Sequence, residues 1–158
     1  MGGMRILPAL ALGGALLLLT ACAAEPAVDL DEARTWLDTV EAEQSDGPGA
    51  AGVASMLVGT QTQDPDDGVQ LDFSNPTTLK RADARCFGDG TVDVTVMLRA
   101  ADGASTKAIS QQIACDEEVH GIDLSEQTPA ASTAFVSGRG SAETYLHVVL
   151  IEELVVER

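Results

Sequence analysis

Across residues 91–99 the side chains alternate strictly, with Val92, Val94, Val96 and Leu98 on one side and Asp93, Thr95, Met97 and Arg99 on the other. A period of two sends the two sets to opposite faces of an extended strand, so this stretch folds as a strand with one face buried and one face wet. Asp102-Gly103 follows, a dipeptide suited to a tight hairpin, and residues 106–115 return with Ile109, Ile113 and Cys115 on one face. The same period predicts strands over residues 68–73 (Val69, Leu71 and Phe73 inward), 79–87 (Ala82, Ala84 and Cys86 inward), 121–124 and 131–137. Residues 144–155 are apolar on both faces, at Leu146, Val148, Val149, Leu150 and Ile151, as a central strand requires. One more strand, over residues 53–60, is diluted by Ala and Gly. About seven short strands separated by turn clusters predict an all-β fold, an antiparallel β-sandwich occupying residues 53–158.

Ahead of the strands the period is helical. Leu30, Ala33, Trp36, Leu37 and Val40 recur at steps of three and four, opposite Asp31, Glu32, Asp38 and Glu41, so residues 29–43 are expected to form an amphipathic helix capped by Asp29 or Asp31. Trp36 would pack this helix onto the domain; the alternative is a stalk that binds a partner above a membrane. Residues 44–52, with Asp46-Gly47-Pro48-Gly49 as a turn, serve as a connector.

The first 21 residues have a different purpose. Arg5 precedes an apolar run over residues 6–19 that is broken only by Pro8, Gly13 and Gly14. As a helix it would reach about 21 Å, short of the ~30 Å hydrocarbon core, which is the layout of a removable secretory signal. Leu19-Thr20-Ala21-Cys22 closes it with the branched, small, small, Cys order of a bacterial lipobox. The expectation is a signal peptide over residues 1–21, diacylglyceryl attachment at Cys22, and a short linker over residues 22–28. Two or three acyl chains give stable anchoring where a single chain does not. The alternative is an ordinary secretory signal cleaved near Ala21, with Cys22 placed there by chance.

Residues 1–21 contain one base and no acid, so their removal takes the net charge from −16 to −17. Such a chain cannot neutralise phosphates, which excludes nucleic acid as a partner. Anionic headgroups and anionic wall polymers would repel it as well, which leaves the acyl anchor as the attachment to the membrane, on its extracytoplasmic face. A basic exported protein or a cation is the partner this charge favours. With Cys22 lipidated, Cys86 and Cys115 remain as an even pair in a chain that folds outside the cytoplasm, and a disulfide between them is expected. Two free thiols or a metal site are the alternatives, the latter opposed by the lack of a Cys-x-x-Cys spacing.

The segments Cys86-Phe87-Gly88-Asp89-Gly90-Thr91-Val92-Asp93-Val94-Thr95-Val96, Cys115-Asp116-Glu117-Glu118-Val119-His120 and Tyr145-Leu146-His147-Val148-Val149 resemble uncharacterised small secreted lipoproteins of high-GC Gram-positive (actinobacterial) type. The resemblance covers residues 68–158. It implies a disulfide-stapled β domain at the cell surface and supplies no catalytic residues.

Candidate chemistry is sparse. His120 lies among Asp116, Glu117, Glu118 and Asp123, and His147 lies in the most apolar strand. Two His and a carboxylate hold zinc when a fold gathers them, but a turn residue with a carboxylate partner is the expectation for His120, and no metal site is assigned. Asp64, Asp66 and Asp67 would suit a hard cation, yet they lack the spacing of a calcium loop and are read as a solvated turn. There is no Gly-x-Ser-x-Gly elbow, and Ser137-Gly138-Arg139-Gly140-Ser141 reads as a hairpin loop rather than a phosphate cradle. Trp36, Tyr145, Phe73, Phe87 and Phe135 all fall where burial is expected, which disfavours an aromatic sugar platform. No catalytic residue and no cofactor are assigned. The expected function is a membrane-anchored cell-envelope lipoprotein acting as a non-enzymatic binding module; the alternative is a hydrolase or metal-dependent enzyme whose site the fold assembles. A concave pocket gathering His120, His147 and carboxylates would favour the enzyme, and a shallow polar surface would favour the module.

Overall fold

The computed structural model describes residues 28–44, 49–60, 67–103, 105–125 and 130–152. The signal segment, Cys22 and the linker as far as residue 27 lie outside them, as do Asp64, Pro65 and Asp66. One helix, α1 (Leu30–Gln44), precedes eight strands: β1 (Ala50–Val58), β2 (Val69–Thr77), β3 (Leu79–Cys86), β4 (Thr91–Ala100), β5 (Thr106–Ala114), β6 (His120–Asp123), β7 (Ala131–Gly140) and β8 (Thr144–Glu152). They form two antiparallel four-stranded sheets packed face to face, one in the order β1-β8-β3-β6 and the other β2-β7-β4-β5. The sandwich expected from the alternation is therefore the fold.

Its core is the set of side chains that the two-residue period turned inward. Val92, Val94, Val96 and Leu98 of β4 face Ala82, Ala84 and Cys86 of β3 and Leu146, Val148 and Leu150 of β8, all buried. Each Val or Leu so buried contributes roughly 1.5–3 kcal/mol. Val69, Leu71 and Phe73 point the same way but are only partly buried, because β2 is an edge strand. Cys86 at the end of β3 and Cys115 just beyond β5 form a disulfide, with Cα atoms 4.6 Å apart, that ties one sheet to the other. The Asp102-Gly103 turn joins β4 to β5, with Gly103 at φ 67° and its amide donating to the Ala100 carbonyl at 2.9 Å.

β8 is internal, between β1 and β3, and its outer face explains the second apolar row: α1 covers it. Asp29 caps α1, its Oδ1 accepting from the amides of Asp31 at 3.0 Å and Glu32 at 3.2 Å. Ala33, Leu37 and Val40 are buried beneath the helix, while Trp36 is half-buried and tilted against Phe87 with ring centroids 5.9 Å apart.

Two expectations need correction. The sandwich begins at Ala50 rather than 53, so the diluted strand is a full member: its ladder to β8 supplies backbone hydrogen bonds that do not depend on side-chain character. Residues 137–141 are not a hairpin loop. β7 continues through Gly140, and the turn to β8 comes after it. The glycines there serve packing, since a Cβ on Gly138 would lie 2.7 Å from Leu146 Cδ2, 3.0 Å from Val58 Cγ1 and 3.2 Å from Val92 Cγ1. Neighbouring side chains already fill the space a side chain would take.

Candidate functional site

Because α1 covers one sheet, the outer face of the other, β2-β7-β4-β5, is the face left open among the described residues. The outward positions of β4, Asp93, Thr95, Met97 and Arg99, line up across the ladder with those of its neighbours. Asp93 stands opposite Gln112 and Arg139, Thr95 opposite Ser110 and Ser137, and Met97 opposite Ala108 and Phe135. Asp93 accepts from Arg139 Nη2 and from Gln112 Nε2, each at 3.1 Å, and the hydroxyls of Thr95 and Ser110 lie 2.8 Å apart. Further along, Asp72 accepts from Gln70 Nε2 at 3.1 Å and from Thr133 Oγ1 at 3.3 Å. These rows frame a shallow depression of about 520 Å³ lined by Asp93, Thr95, Ser110, Gln112, Ser137 and Arg139. Its Arg and Asp neutralise each other, and its hydroxyls and amides offer donors and acceptors without a base beside a nucleophile. Such a surface offers hydrogen bonds to a polar partner.

The two histidines lie apart. His120 opens β6 on the inner side of the covered sheet, level with Ala84, and its Nε2 sits 2.8 Å from Asp116 Oδ1. That hydrogen bond holds the Asp116 carboxyl below its ordinary range, helped by the Glu118 amide that donates to the same oxygen. The carboxylate partner expected for His120 is thus present. His147 lies on the opposite face of the same sheet, two strands away and fully buried. Among the described residues no group of three or more His, Cys, Asp or Glu could hold a metal ion. Of the Asp64, Asp66 and Asp67 cluster only Asp67 is described, as an exposed residue before β2.

What the sequence reading missed lies beneath α1. Ser55 of β1, His147 of β8 and Arg85 of β3 form one cross-strand row on the helix-covered face. Ser55 Oγ is 3.0 Å from His147 Nδ1. Burial pushes the imidazole below its ordinary pKa, the Arg85 charge adds to this, and Glu41 of α1 opposes it. His147 Nε2 and Arg85 Nε are buried without a hydrogen-bond partner. A serine within hydrogen-bond reach of a histidine resembles the start of a nucleophilic pair, but here the ring is fully buried beneath α1. Ser55 and His147 are 92 residues apart, and only the β1–β8 register brings them opposite each other.

No protein-family model matches the chain, and a search of curated proteins finds no match.

Proposed function

We propose that this chain is a membrane-anchored cell-envelope lipoprotein, held through Cys22 on the extracytoplasmic face, whose sandwich is a non-enzymatic binding module that contacts its partner through the open sheet. The observation that carries this reading is the polar grid of Asp93, Thr95, Ser110, Gln112, Ser137 and Arg139, a shallow self-neutralised surface on the sheet that no helix covers among the described residues. The separation of His120 from His147 supports the module over the enzyme. The lipobox and the −17 charge support an acyl tether and a basic exported protein as partner.

The test is photo-crosslinking on intact cells from a reactive residue at Thr95, on the open sheet, and from one at Arg34, exposed on α1. The expected result is a discrete adduct from Thr95 alone, with a basic protein whose binding to the purified chain weakens as salt rises. Equal adducts from both positions, adducts from neither, or a polyanionic partner would remove the proposal.

A further inference from the structure

We infer that the disulfide end of the sandwich faces the membrane and that the β4–β5 hairpin end points away from it; this rests on lipidation of Cys22. The decisive observation is where the chain joins the domain. Val28 and Asp29, just before α1, line a depression of about 530 Å³ together with Gly88, Asp89, Glu117 and Ser141. A Cβ on Gly88 would sit 3.3 Å from Val28 Cγ2, so the joining point is pressed against the β3–β4 turn. At this end β3 finishes at Cys86, β4 starts at Thr91, β5 finishes at Ala114 and β8 starts at Thr144. From there α1 climbs the covered sheet, so that Gly49, beyond its far end, accepts from the Glu152 amide at the other end of β8.

From Cys22 to Val28 the chain takes six steps, which span about 21 Å when fully extended. The lipidated residue sits at headgroup level, so the joining point cannot stand much further than that from the bilayer. β4 has ten residues and at about 3.3 Å each carries the hairpin roughly 33 Å beyond the disulfide end. α1 exposes Asp31, Glu32, Asp38 and Glu41, as many acids as the disulfide end, so charge does not choose between them; the joining point does, because a short tether leaving the disulfide end holds that end nearer the bilayer than the hairpin end. The disulfide end itself carries Asp89, Asp116, Glu117 and Glu118, whose repulsion acts over about 8 Å at physiological ionic strength and sets a stand-off rather than an insertion. End-on, the open sheet stands roughly upright on the membrane, and its partner approaches from the side.

The test uses the full lipidated protein in vesicles of phosphatidylcholine and phosphatidylglycerol with an acceptor dye on the headgroups. A donor dye is placed by D89C at the disulfide end or by A101C at the hairpin end, both exposed, with E118C and S105C as a second pair should either variant fold poorly. Several-fold stronger energy transfer from 89 than from 101, and from 118 than from 105, is expected. Equal transfer within a pair, or stronger transfer from the hairpin end, with the protein still floating with the vesicles, overturns the orientation. Absence of flotation, matching that of a Cys22→Ser control, shows instead that the anchor is wrong, and the orientation falls with it.

Discussion

Replacing Cys86 and Cys115 together by alanine, in a Cys22→Ser background so that no form is lipidated, removes the side-chain cross-link between the sheets. The bridge closes a loop of 29 residues, and the loop-closure entropy it withholds from the unfolded chain is worth about 3.6 kcal/mol at 25 °C. Both cysteines are buried, at 0% and 3% exposure, so the missing sulfur atoms also leave unfilled space that adds to the loss. Against a typical stability of roughly 5–15 kcal/mol this is a large fraction. For a domain of about 100 residues it corresponds to a fall in Tm of roughly 15–25 °C. Urea unfolding followed by circular dichroism reads both the loss and its origin: the midpoint should fall and the slope m should rise, because the uncrosslinked chain expands further when unfolded. A loss under about 1 kcal/mol with an unchanged slope would refute the reasoning, since it would mean that the bridge does not restrict the unfolded chain.

The buried His147 should make stability fall in mild acid. Its folded pKa lies below the ordinary value of about 6.5, so as pH drops through that value the unfolded chain takes up a proton that the buried ring refuses, and stability declines by up to about 1.4 kcal/mol per pH unit until the folded value is reached. Urea unfolding of the native chain and of His147→Gln across this range should therefore converge as pH falls, and parallel curves would contradict the assignment. Gly138→Ala should cost about 1–3 kcal/mol through overpacking against Leu146, Val58 and Val92, measured by thermal melting; a neutral or stabilising effect would mean the sheets have room there. Asp29→Ala should cost about 1 kcal/mol by uncapping α1, read from the fluorescence of Trp36, the one tryptophan of the chain, and an unchanged unfolding midpoint would count against the cap.

The alternation in β4, the returning face of β5 and the two-sided apolar run of β8 were legible in the sequence because side-chain period is a local property set by the backbone. So were α1, with Asp29 as one of two offered caps, and the cysteine pairing, expected from an even count once the chain is read as exported. Local pattern was silent where the cause lay elsewhere in space. β1 carries a weak period of its own and is a strand because β8 offers it a ladder, and Gly138 lies inside β7 because Leu146, Val58 and Val92 leave no room for a side chain. The Ser55–His147–Arg85 row and the grid around Asp93 depend on which strands become neighbours and in what register. Residues tens of positions apart meet only once the sheets have paired, so the sequence by itself determined the helix, the disulfide and the strands with a strong period of their own, and tertiary pairing decided the extent of β1 and β7, which polar groups α1 buries and which face of the described domain stays open.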